Sequence, residues 1–271
     1  MSKKRLLNLT SRKKRDTMLS WSNTSNTGAS RAVAAGPLVL NAGSYGGGTT
    51  LWCPTGRDLD LGGTVNTVAN ESARTATTCF MRGLSENIRI QTSSGLPWFH
   101  RRICFTFKGP QPFRQVSSSD SPTQAPNIIQ ETTAGMVRLW LNSYVNATPN
   151  TRNNHESYIF KGANGTDWDD ILTAPVDTRR ISVKFNKVWT IKSGNAAGTV
   201  VDRKLWHGMN KNLVYDDDES GPNEISTYYS VDSKAGMGDY YVYDIFTPGV
   251  GGTTSDYLQV QSCASMYWHE K

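Results

Sequence analysis

Apolar and polar residues alternate along much of this chain. Over residues 180–192, Ile181, Val183, Phe185, Trp189 and Ile191 fall on one side of a two-residue period. Ser182, Lys184, Asn186, Thr190 and Lys192 fall on the other, and Val188 is the one break. Side chains of extended backbone point alternately to opposite faces, so this run predicts a long strand in a half-buried sheet. Ile88 and Ile90 alternate with Arg89 and Gln91, and Ile103, Phe105 and Phe107 with Cys104, Thr106 and Lys108. Near the end, Leu258, Val260, Ala264, Met266 and Trp268 share a face within a strand predicted over 257–268. Further strands are predicted over 32–40, 205–215 and 239–246. Gly46-Gly47-Gly48, Gly109-Pro110, residues 117–126 and 194–198, Gly221-Pro222 and residues 248–252 punctuate them. Helix signal is thin: a short turn over 168–173 behind Asp167. Residues 136–144 are ambiguous, leaning to strand through β-branched and aromatic content. About eight strands joined by long loops predict an all-β fold. A single jelly roll, an eight-stranded antiparallel sandwich with long loops, fits. Pattern alone leaves immunoglobulin-like and lectin-like sandwiches open.

Charge divides the chain in a way hydropathy does not. The first fifteen residues carry Lys3, Lys4, Arg5, Arg12, Lys13, Lys14 and Arg15 and no acid. Of 29 Lys and Arg in all, these seven leave 22 against 23 Asp and Glu in the rest, so the formal net charge of +6 comes from one end. Residues 1–31 continue as a Ser/Asn/Thr-rich stretch with little apolar surface. They are expected to form a basic, largely disordered arm ahead of a folded domain over 32–271. Leu6, Leu7, Leu9, Met18, Leu19 and Trp21, interspersed in the arm, could dock on an inner surface once assembled. The two basic clusters suit phosphate neutralisation, which is blind to base sequence and weakens with salt. The run Arg12, Lys13, Lys14, Arg15 is also a candidate nuclear-import signal.

The remaining composition excludes more than it assigns. A mean hydropathy of −0.50 points to polar loops or to surface devoted to other subunits. No apolar run is long enough for a membrane span, and no apolar segment follows the basic start as in a secretion signal. Cys53, Cys79, Cys104 and Cys263 lie far apart, read as free core thiols, and give no zinc spacing. Arg101-Arg102 and Arg179-Arg180 open strands and could line an inner basic surface or block edge pairing. Residues 216–219, all acidic, and Asp167, Asp169 and Asp170 read as solvated turns or a subunit-contact loop rather than cation sites. His100, His155, His207 and His269 have no metal spacing. No nucleophile elbow, phosphate loop or dinucleotide fingerprint is present, so no catalytic residue, metal or cofactor is expected.

Several segments, in order, resemble one family. KKRLLNLTSRKKRDTM at the start, KGPQPF (108–113), RRISVKFNKVWTI (179–191), KLWHGMNKNLVYDDDESG (204–221) and the closing MYWHEK are similar to capsid proteins of genomoviruses, the gemycircularvirus group. The segment from KLW to DDDESG followed by YYVYDIF also resembles the C-terminal region of geminivirus coat proteins. The resemblance spans nearly the whole chain. It implies a jelly-roll subunit that self-associates into a small icosahedral shell of about 60 copies. Such a shell encloses circular single-stranded DNA, with the basic arm facing inward on the genome and engaging host nuclear-import machinery. The implied locations are the virion and, during assembly, the host nucleus, with no membrane partner. It also implies a longer Arg-rich stretch ahead of the segment where this sequence begins. From the residues alone, a cellular, non-assembling β-sandwich that binds nucleic acid stands as the alternative.

Overall fold

The computed structural model describes residues 10–120, 127–133, 135–145 and 148–271. Strands dominate it. In chain order they are β1 (Arg12–Thr24), β2 (Ser30–Ala35), β3 (Leu38–Asn41), β4 (Gly48–Trp52), β5 (Asp60–Leu61), β6 (Thr64–Val65), β7 (Thr78–Thr92), β8 (Trp98–Phe107), β9 (Glu131–Thr132), β10 (Gly135–Met136) and β11 (Arg138–Trp140). Then follow β12 (Ser182–Ile191), β13 (Val200–Val214), β14 (Asp218–Ser220), β15 (Asn223–Ile225), β16 (Asp239–Pro248) and β17 (Tyr257–Glu270). Two helices lie wholly within the described residues, α1 (Ala42–Tyr45) and α2 (Pro149–Ile159). No helix among the described residues is long and apolar enough to cross a membrane.

The long strands form two sheets packed face to face, an all-β sandwich. One runs β1-β17-β7-β13, with β11 and β2 on β1 and β3 on β17. The other runs β4-β16-β8-β12. Apart from the parallel β1–β11 contact, neighbours in both sheets are antiparallel. Numbered by chain order among the eight main strands, the sheets read 1-8-3-6 and 2-7-4-5. Between consecutive main strands the chain changes sheet every time except from β8 to β12.

The alternation seen in the sequence decides which face each strand buries. Leu258, Val260, Ala264, Met266 and Trp268 of β17 are all buried between the sheets. They meet Met81, Leu84, Ile88 and Ile90 of β7 and, from the facing sheet, Trp52, Trp98, Cys104 and Val242. The second sheet is covered on its outer face too. There Leu51, Ile103, Phe105, Tyr241 and Tyr243 pack under Ile159 and Phe160, Phe113, Trp168 and Ile181. β8 and β16 are therefore buried on both faces along most of their length.

Three expectations need correction, and one helix was not foreseen. The arm does not extend unfolded to residue 31. β1 begins at Arg12, and residues 12–19 pair with residues 270–263 of β17. Lys14, Asp16, Met18 and Ser20 alternate inward along it, a period the basic composition concealed. Residues 32–40 are two strands, because Gly36-Pro37 cannot continue the ladder. No helix forms at 168–173, where the backbone makes turns. Helix α2 was not predicted, since its sequence PNTRNNHESYI carries almost no apolar stripe. Its proline sits at the helix start, where the missing N–H costs nothing.

Candidate nucleic-acid interface

The outer face of the large sheet presents one group of the chain's cations. Since Lys14, Asp16 and Met18 point into the sandwich, Lys13, Arg15, Thr17 and Leu19 point out. Cross-strand register carries this face across the sheet: Lys13 with His269 and Phe80, Arg15 with Tyr267 and Gly83, Thr17 with Ser265 and Ser85. β13 continues the rows with Gly208 opposite Gly83, Trp206 opposite Ser85 and Lys204 opposite Asn87. The outward positions thus carry Lys13, Arg15, Arg82, Arg89 and Lys204, against the acid Asp202. Asp202 is occupied by Arg89, whose Nε donates to it at 2.8 Å. Uncompensated positive charge concentrates toward the Lys13 end of the sheet. The Arg15 guanidinium lies 5.5 Å from the Tyr267 ring centre, and that of Arg82 lies 5.9 Å from Phe80.

The residues picked out from the sequence separate on this framework. Lys3, Lys4 and Arg5 lie outside the described residues. Arg12, Lys13 and Arg15 are exposed on β1. Lys14 is withdrawn from solvent at 3 % exposure. Its Nζ donates to the carbonyls of Asn70 at 2.6 Å and Val68 at 3.3 Å and sits 3.8 Å from Glu270. Lys14 is therefore a structural cation, not a phosphate contact. The import run Arg12, Lys13, Lys14, Arg15 is a paired strand with one member buried, not an extended peptide with four free cations.

Arg101 and Arg102 neither line a basic surface nor guard an edge, because β8 lies inside its sheet. Arg101 donates to the carbonyls of Ile171 at 2.7 Å and Ala174 at 2.9 Å beneath the covering loops. Arg102 sits between the sheets in a closed ionic network. It forks onto Asp244 at 2.7 and 2.9 Å and reaches Glu86 at 2.5 Å. Arg138 bridges the same two acids at 2.9 Å each and stacks 3.5 Å from the Trp140 ring centre. His100 Nδ1 accepts from Arg203, so its Nε2–H donates to Asp244 at 2.8 Å. Burial pushes both acids up, but the guanidinium groups outweigh it and hold Glu86 and Asp244 below the usual carboxylate range. Burial also pushes His100 and His207 down to about 4. Every polar side chain here is engaged by another, so this cluster fastens the sheets together and offers nothing to a ligand.

Of the cysteines, Cys53, Cys79 and Cys104 are buried free thiols and Cys263 is exposed on β17. Asp217 of the acidic stretch is held by buried Arg74 at 2.6 and 3.0 Å. Asp216, Asp218 and Glu219 are exposed at the β14–β15 hairpin. No group of three or more metal-ligating side chains occurs among the described residues. No family model matches the chain, and no curated protein is found to be similar to it.

Proposed function

We propose that this chain is a structural shell subunit that self-associates around single-stranded DNA, without catalytic chemistry of its own. The observation that carries the reading is the strand order, 1-8-3-6 against 2-7-4-5. That order fits a jelly roll, an architecture recurrent in viral capsid proteins. The ordered segments similar to genomovirus capsid proteins support the same conclusion. So does a cationic sheet face backed by a rigid, ion-fastened sandwich. Lys13 and Arg15, with Arg12 beside them, neutralise phosphate on the inner surface of the shell, and nuclear import precedes assembly.

The test is size. Sedimentation and electron microscopy of the purified chain should reveal closed particles of about 60 copies, each subunit being 29.9 kDa. A species that stays near the mass of one or two subunits across salt and pH overturns the shell reading. It would leave a non-assembling nucleic-acid-binding sandwich instead.

A further inference from the structure

We infer that the outer face of the large sheet contains a stacking platform for unpaired bases, with Trp206 as its floor and Arg15 and Arg82 as its phosphate clamps. The inference rests on the nucleic-acid-binding part of the reading above and adds a site on the folded sheet that the basic arm did not suggest.

Trp206 is the anomaly that leads to it. The other tryptophans of the long strands, Trp21, Trp52, Trp98, Trp189 and Trp268, are buried or half-buried, whereas Trp206 is 55 % exposed in the middle of a strand. Its ring lies down on the sheet instead of standing away from it. A methyl group added at Gly83 would come within 2.7 Å of Trp206 Cζ2, and one at Gly208 within 3.4 Å of its Nε1. The two glycines, paired across β7 and β13, are what let the indole settle over the backbone. Tyr267 abuts it with ring centres 5.8 Å apart, and Arg15 in turn caps Tyr267.

The surroundings are correspondingly low. The row through Trp206 continues as Ser85, Ser265 and Thr17, small residues that leave the indole face accessible. Thr17 and Ser265 bond each other through their hydroxyls at 2.9 Å. A planar group can therefore lie along this row beside the indole. Arg15 stands on the β1 side, and Arg82 is fixed by its bond to Asn210 at 2.6 Å on the β13 side. Flat aromatic surface beside fixed guanidinium groups, with no free carboxylate at the outward strand positions, matches single-stranded nucleic acid. Bases stack without regard to identity while the backbone tracks the cations. Duplex DNA has its base faces covered and could use only the cations.

The test uses the full chain. A 20-nucleotide oligo-dT and a 20-base-pair duplex are titrated at two salt concentrations, following affinity and tryptophan emission, with particle formation scored separately by sedimentation. Trp206→Ala should weaken oligo-dT binding about ten-fold or more, in line with the measured worth of a base–aromatic stack, and leave duplex binding unchanged. Trp206→Phe should keep most of the affinity but lose the quenching seen when oligo-dT binds the native chain. Because Trp206 is exposed, both variants should fold, and unaltered thermal unfolding checks this. Oligo-dT affinity unaltered in Trp206→Ala, or equal losses for strand and duplex, overturns the platform. Failure to form particles with the stacking signature intact would overturn the shell and leave the platform standing.

Discussion

Asp244 makes a heavy demand on the rest of the molecule. Its carboxylate is fully buried, yet it accepts from Arg102, Arg138 and His100 at once. Removing one member of such a network strands the opposite charges without water. Asp244→Asn should lower the unfolding free energy by about 3–5 kcal/mol, measured by urea denaturation. A loss below about 1 kcal/mol would show that the remaining groups reorganise around the amide. Lysines 13 and 14 make the contrast at the surface. Lys14→Gln should destabilise the fold without altering the salt dependence of DNA binding, because its ammonium is spent on two carbonyls and Glu270. Lys13→Gln should leave stability within about 0.5 kcal/mol and reduce the salt slope by about one. Equal salt slopes in the two variants would contradict the assignment. The sequence displays these neighbours as one basic run. The period of β1 separates them, and that period becomes visible only once the partner strand is known.

At the scale of elements, β1 is the strand most easily misread. Its composition is that of an arm, but it covers one edge of β17, and Met18 belongs to the main core. Deleting residues 1–20 should therefore lower the thermal midpoint and raise amide exchange in residues 263–270, whose ladder it completes. An unchanged midpoint would mean that β17 does not need this partner. By the same logic such a truncation is a poor test of DNA binding, since it disturbs the sheet that carries Tyr267. Strands β7, β8, β16 and β17 were legible because alternating or continuous apolar runs are enforced by burial on one or two faces. β4 was not, since it opens on the Gly46-Gly47-Gly48 break and its residues GTTLW show no alternation, and it is held in place by pairing with β16. α2 escaped notice for a related reason. It covers the second sheet with few contacts, Ile159 among them, and with a hydrogen bond from the Tyr243 hydroxyl to Glu156 at 3.0 Å.

For the whole molecule, buried titratable groups tie stability to pH. Burial is the leading cause that lowers His100, His155 and His207 to about 4. The unfolded chain binds these protons near 6.5. Between those values the unfolded state holds more protons, so stability rises with pH, is complete above about 6.5 and is lost as pH falls through about 4. Glu86 and Asp244, depressed by their guanidinium partners, act in the same direction at lower pH. Glu131, Glu156 and Asp239, raised mainly by burial, oppose them in the carboxylate range. The thermal midpoint followed by circular dichroism should fall steadily from pH 7 to pH 4.5. A midpoint independent of pH over that interval would mean that the histidines protonate without leaving their sites.

The sequence by itself determined the all-β class, most of the inward faces and the concentration of positive charge toward one end. Burial and charge composition are written locally, in the period of the residues and in their kinds. Tertiary structure decided which cations remain available. It took Lys14 and Arg102 into the interior, turned Lys13 and Arg15 outward, and laid Trp206 over two glycines from separate strands. Those outcomes depend on register between segments as far apart as β1, β7, β13 and β17. Register is a property of pairing, where a one-residue slip would exchange every inward side chain for its outward neighbour.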